Sequence, residues 1–227
     1  MLRRKAAQHD MVEIMTIIKI CGIKTLKDAL AAIDSGADYL GFNFYPKSVR
    51  FIENSACAEI TSVLKREHPQ IKLVGVFVNS SVEDIKDILQ TCRLDLVQLH
   101  GDEPPEMVAS FNGKAFKAIR LFAQSVDPSA YQFQKSVPPP AFLVDAAVKG
   151  VYGGSGVTAD WTAAAELAKK YPLLLAGGLT PENVADAVRQ VQPWGVDAAS
   201  GVESAPGEKD AEKMSAFVKA VRVAESK

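Results

Sequence analysis

The chain has 227 residues, 48% of them hydrophobic, and a formal net charge of -1 from 26 basic and 27 acidic side chains. That length suits a single α/β barrel with a large core. The balanced charge excludes a broad basic field for nucleic acid or anionic membrane, so an anionic ligand needs a local site.

Residues 1–15 are polar and mixed in charge, without the apolar stretch of a secretory signal. They read as a flexible N-terminal extension, with one domain over 16–227. No apolar run approaches the roughly 20 residues that span a bilayer. The cysteines Cys21, Cys57 and Cys92 form no CxxC pair and no disulfide framework, which points to a reducing, cytoplasmic setting.

Compact apolar runs predict eight strands: Thr16–Ile20, Tyr39–Asn43, Lys72–Phe77, Leu96–Leu99, Ala115–Ile119, Phe142–Asp145, Leu173–Ala176 and Gly195–Ala198. Helices are predicted between them. Leu26–Ser35 stops at Gly36, and Val82–Thr91 follows the N-cap candidates Ser80 and Ser81. Trp161–Lys170 follows Asp160, Asn183–Gln190 follows Pro181 at a first helical position, and Asp210–Val223 comes last. Between strands five and six, Phe122–Pro140 holds Pro128 and the run Pro138–Pro139–Pro140, so an irregular crossover is expected. Eight βα units in one domain predict a (β/α)8 TIM barrel. A doubly wound sheet is the alternative, but no GxGxxG follows the first strand.

Barrel chemistry sits at the C-terminal ends of strands. Cys21 follows strand one and reads as nucleophile, base or buried filler; Cys57 and Cys92, in helical stretches, read as filler. After strand two, Arg50 closes a loop with Lys47 and suits a carboxylate. Gln98 and His100 share a side-chain parity after strand four, where the histidine either orients a ligand or is structural. Asp145 ends an apolar strand; a partly desolvated carboxyl there suits a general acid, and an N-cap or loop ion pair is the alternative. Glycine-dense Gly150–Thr158 reads as a lid or a backbone anion cradle through Gly154. After strands seven and eight, Gly177–Gly178 and Ser200–Gly201 occupy the usual phosphate position of barrels.

Taken together, these segments resemble the phosphoribosylanthranilate isomerase family, from Lys19 nearly to the C-terminus. The resemblance rests on Lys19–Ile20–Cys21–Gly22–Ile23, Gly41–Phe42–Asn43–Phe44–Tyr45–Pro46–Lys47–Ser48–Val49–Arg50, Val74–Asn79, Val97–Gln98–Leu99–His100–Gly101–Asp102–Glu103, Leu143–Val144–Asp145, Tyr152–Gly156, Leu175–Leu179 and Gly195–Glu203. Each glycine motif alone is common to phosphate-binding barrels; their order is specific. Departures from the family pattern are Lys24 before Thr25, Val49 before Arg50, Ser155, and Ala198–Ala199 ahead of Ser200.

The resemblance implies an Amadori rearrangement of an aminoaldose to an aminoketose in tryptophan biosynthesis. Cys21 would be the general base, Asp145 the general acid and Arg50 the contact to the anthranilate carboxylate. Gln98, His100 and Asp197 would line the sugar site. No metal or other cofactor is expected, and the partners are a small phosphoribosyl substrate, with no nucleic acid and no membrane, in a monomer or homodimer. A thiolate base requires that the barrel mouth lower the thiol pKa from about 8.5. Strand alternation is taken to set Lys19 aside as its helper.

A pentose-phosphate epimerase would carry metal-binding histidines, whereas only His9, His68 and His100 occur. An indole-glycerol-phosphate synthase would carry a lysine where Cys21 stands. A non-catalytic phosphate-binding module would bind without turnover.

Overall fold

The computed structural model describes residues 15–120, 140–145 and 161–225. The strands are β1 (Ile17–Cys21), β2 (Tyr39–Asn43), β3 (Lys72–Phe77), β4 (Leu96–Leu99), β5 (Ala115–Arg120), β6 (Phe142–Asp145), β7 (Leu173–Ala176) and β8 (Gly195–Ala198). They form a closed ring in sequence order, every pair parallel, with β1 beside β8. The described helices are α1 (Leu26–Ser35), α2 (Asn54–Glu67), α3 (Val82–Thr91), α4 (Pro105–Ala109), α5 (Trp161–Ala168), α6 (Val184–Val191) and α7 (Ala211–Glu225). After β8 come a 3-10 turn, Ser200–Val202, and a short hairpin of β9 (Glu203–Ala205) and β10 (Glu208–Lys209).

Strand alternation divides the core in two. Ile18, Ile20, Leu40, Phe42, Leu73, Phe77, Val97, Leu99, Val144, Leu175 and Val196 point outward into one large cluster with the helices. Val74, Phe116, Ala118, Leu143, Leu174 and Ala176 form a separate cluster inside the barrel. Lys19 and Asp197 occupy the interior between β1 and β8.

Local signals account for the ends of several elements. Thr25 caps α1 by accepting from the Asp28 N–H, and Gly36 ends it at φ 101°. Ser81 caps α3 by accepting from the Asp84 N–H. Pro181 does not start α6: Asn183 Oδ1 accepts from the Thr180 N–H and holds a turn, so the helix begins at Val184. The sequence reading singled out neither α2 nor α4. The expected N-terminal extension, the irregular crossover after β5 and the glycine-dense segment with Gly154 and Ser155 lie outside the described residues.

Two networks brace the ring. At the N-terminal end, Glu225 accepts from the Thr16 N–H, Arg222 donates to the Thr16 carbonyl, and Asp38 accepts from the Ile18 N–H. On the outer face, Lys117 pairs with Glu103 at 3.2 Å and donates to the carbonyls of Leu99, Gly101 and Ala118. Glu103 also accepts the N–H groups of Asn79 and Gly101. A Cβ at Gly101 would stand 2.3 Å from Asn79 Oδ1, so this turn after β4 requires glycine. Asn79 and Glu103, quoted above as motif residues, thus serve the frame.

Candidate active site

Cys21 and Asp145 stand at the C-terminal ends of β1 and β6, on interior-facing positions of the same mouth. Cys21 shares its parity with Lys19, which faces Asp197 inside the barrel. Asp145 shares its parity with Leu143 and is aligned with Arg120 of β5 and Ala176 of β7. His100 feels the charges of Asp145, Arg120, Lys19 and Asp197, which brings both walls of the mouth into one electrostatic field.

Cys21 is buried, and its place is made by Gly41 on the neighbouring strand: a Cβ there would lie 2.7 Å from Cys21 Sγ. Burial pushes the thiol up from its ordinary value; Lys19 and Lys209 oppose this, while Asp197 adds to it. The expectation that the mouth lowers the thiol pKa is therefore corrected. Desolvation outweighs the neighbouring cations.

Setting Lys19 aside is also corrected. A period of two puts residues 19 and 21 on the same face, not on opposite ones. Lys19 Nζ lies 2.9 Å from Asp197 Oδ2, and its charge favours the Cys21 thiolate. Burial alone would push the Lys19 ammonium down, but Asp197 and Cys21 outweigh it and hold it above its ordinary value.

Gln98 Nε2 lies 2.9 Å from His100 Nδ1. Burial pushes the imidazole down, so the ring is neutral near pH 7. An amide donor at Nδ1 assigns the ring proton to Nε2. Gln98 Oε1 and Asp197 Oδ1 are buried and have no hydrogen-bond partner among the described residues. Buried acceptors of this kind are rare unless a ligand or water completes them.

Arg50 is engaged differently from the expectation of an open cation. Its Nε and Nη2 each donate to Glu203 at 2.7 Å, a bidentate pair. Glu203 also accepts from Lys209 Nζ at 2.7 Å and from the Gly207 N–H. Burial pushes the Glu203 carboxyl up, yet Arg50 and Lys209 outweigh it and hold it below its ordinary value. The Arg50 stem runs over Gly22, where φ is 83° and a Cβ would meet Cδ at 2.6 Å. Glu203 had been quoted only as a motif residue and Lys209 not at all; charges in the hairpin after the last strand were their only sequence signal.

The loops after β7 and β8 meet backbone to backbone. Gly177 and Gly178 have φ of 98° and 68°. A Cβ at Gly201 would lie 1.9 Å from the Leu179 carbonyl oxygen. Ser200 is exposed at the start of the 3-10 turn. Ala198 is buried in β8 and carries no hydroxyl, so polar contact there falls to the backbone and Ser200. Among the described residues no group of three or more His, Cys, Asp or Glu is placed to hold a metal ion.

This is a closed (β/α)8 barrel with titratable groups at the mouth and glycine loops after the last two barrel strands, the architecture of a barrel enzyme. Residues 18–220 match the family model for N-(5'-phosphoribosyl)anthranilate isomerase. The chain belongs to that family. A relative from Geotalea daltonii of that name is 46% identical over 205 residues, 90% of this chain and 95% of its own length. The solved Thermotoga maritima isomerase is 38% identical with a TM-score of 0.80, covering 92% of this chain and 100% of its own. A further isomerase structure, in complex with reduced 1-(o-carboxyphenylamino)-1-deoxyribulose 5-phosphate, is 36% identical with a TM-score of 0.77, covering 92% of this chain and 100% of its own.

Proposed function

We propose that this protein isomerises N-(5-phosphoribosyl)anthranilate to 1-(2-carboxyphenylamino)-1-deoxyribulose 5-phosphate in tryptophan biosynthesis, with Cys21 as base and Asp145 as acid. One observation carries the assignment of roles: a thiol and a carboxyl end β1 and β6 on interior-facing positions of one mouth. The family membership supports the substrate.

Asp145 gives a proton to the ribose ring oxygen as the C1′–O bond breaks, and the anilino nitrogen lone pair closes the iminium. The Cys21 thiolate then takes the proton from C2′, and the C–H electrons form the enolamine. Transfer of the 2′-hydroxyl proton to C1′ gives the ketone. The Gly177–Gly178 loop and Ser200–Gly201 hold the phosphate through backbone N–H groups, joined by Gly154. Gln98, His100 and Asp197 complete the sugar site, the two orphaned acceptors taking substrate hydroxyls. Arg50 presents to the anthranilate carboxylate the donors that Glu203 does not use.

The setting is the cytoplasm, with three free thiols in support, and no helix among the described residues is long and apolar enough to cross a membrane. The test is the fluorescence of the anthranilate group, followed on addition of phosphoribosylanthranilate. Enzyme-dependent loss of the substrate signal with formation of the aminoketose is expected. A saturable titration without turnover would instead make the chain a binding module.

A further inference from the structure

Lys19 has no part in the proton transfers above, yet it is among the largest fully buried side chains in the described protein, with 0% exposure. A charged group inside a barrel is costly, and an apolar replacement for such a pair is often neutral or stabilising. Val74, Phe116, Leu143 and Leu174 form an apolar cluster in the same interior, where Gln98 on β4 is a further buried polar side chain. The ammonium nevertheless sits directly beneath the thiol, one interior layer deeper on the same strand, in register with Asp197 on β8 and Tyr39 on β2. Asp197 meets it through one oxygen, at 2.9 Å, and its other oxygen has no hydrogen-bond partner among the described residues. The ammonium therefore keeps donors beyond that pair, and the next interior side chain on its strand is Cys21, whose thiolate its charge favours.

We infer that Lys19 is a positioning residue for the isomerisation: anchored by Asp197, its ammonium aims the Cys21 sulfur into the mouth and stabilises it as thiolate. This rests on the reading of Cys21 as the base. Lys19 has no exposed surface, so its part is played through Cys21 and Asp197 and not through contact with substrate. The charged groups bearing on the thiol are Lys19 on its own strand, Asp197 on β8, Lys209 on β10 and Arg50 after β2; His100 faces the same space from β4. Lys209 and Arg50 are both engaged by Glu203, whereas Lys19 faces the thiol from the next interior position of the same strand and is the strongest of the charges favouring its thiolate. Asp197 works in two directions. It fixes the ammonium in place, and its own negative charge disfavours the thiolate.

The experiment is alkylation of Cys21 by iodoacetamide, followed by peptide mass spectrometry across about pH 6 to 11. It is run on the wild type, Lys19→Met, Asp197→Asn and the Lys19→Met/Asp197→Asn double variant. In Lys19→Met the labelling midpoint moves up by about one pH unit or more, making Cys21 about tenfold less reactive at neutral pH. Should Lys19→Met fail to fold because Asp197 is left buried and unpaired, the double variant removes both charges. Its midpoint is expected above that of Asp197→Asn. Equal midpoints in those two would overturn the inference.

The rise of kcat/KM with pH is measured on the same variants and is expected to shift in parallel; KM changes little in Lys19→Met, and in the variants that alter Asp197, which lines the sugar site, the pH midpoint alone is compared. A labelling midpoint that moves while the rate profile stays fixed supports the hold of Lys19 on the thiol and removes Cys21 from the reaction.

Discussion

Two buried lysines, Lys19 and Lys117, both pair with carboxylates, and the contrast between them separates frame from chemistry. Lys117 lies on the outer face of β5 with every partner supplied by the protein: Glu103 and three backbone carbonyls. Glu103 in turn gathers the N–H groups of two loops. Lys19 lies on the inner face of β1, and its carboxylate Asp197 keeps one oxygen buried and without a hydrogen-bond partner among the described residues. A completed polar network stiffens a fold, whereas an incomplete one is expensive and persists where a ligand or reaction finishes it.

The contrast breaks most sharply through the proposed base and acid. Cys21→Ala and Asp145→Asn should each lower kcat by about 10²–10⁴-fold while leaving the thermal midpoint close to wild type. Wild-type kcat in either variant would move that role elsewhere. Next is Lys117→Met, which strands Glu103 as a buried charge and should cost about 3–5 kcal/mol in urea unfolding. Its kcat per folded molecule should not change; a large kcat loss would erase the distinction between the two lysines.

Arg50→Ala should raise KM by about tenfold to a hundredfold, the scale of charge-assisted hydrogen bonds, with a smaller change in kcat. An unchanged KM in steady-state kinetics would confine Arg50 to holding Glu203. The smallest effect is pH-dependent. The Glu203 carboxyl lies below its ordinary 4.5, so its stabilising contribution is complete above that pH and is lost as pH falls through the depressed value. Glu203→Gln should flatten this part of the acid limb in urea unfolding at pH 3 to 5.

Most of the frame was legible because each barrel strand is a short apolar run whose ends are marked by turn residues. Tyr39–Asn43, Lys72–Phe77, Leu96–Leu99, Phe142–Asp145, Leu173–Ala176 and Gly195–Ala198 stand where they were read. The strand β5 runs one residue further, to Arg120, which brings a cation into register with Asp145. A charged end residue is invisible to a reading based on apolar continuity. Cys21 and Asp145 were legible as polar groups closing apolar strands. The partnership of Lys19 with Cys21 was equally available from the period of two and was misjudged.

Glu203 and Lys209 are a different case. Their role depends on a hairpin folding back from the last barrel strand to meet a side chain 153 residues earlier, and no local pattern encodes such a return. Pro181 misled because a side-chain turn at Asn183 took precedence over the preference of proline for a helix start.

The fastening of the first strand by the last helix also has a temporal side. Thr16 is held by Arg222 and Glu225, and β1 finds its second neighbour only in β8. During synthesis the nascent N-terminal strand must therefore wait, one edge open and Lys19 without its counter-ion, until α7 has left the ribosome. Within the barrel, the strand that carries the thiol is translated before every other strand and is among the last to be secured, which makes it the stretch a chaperone has most reason to guard.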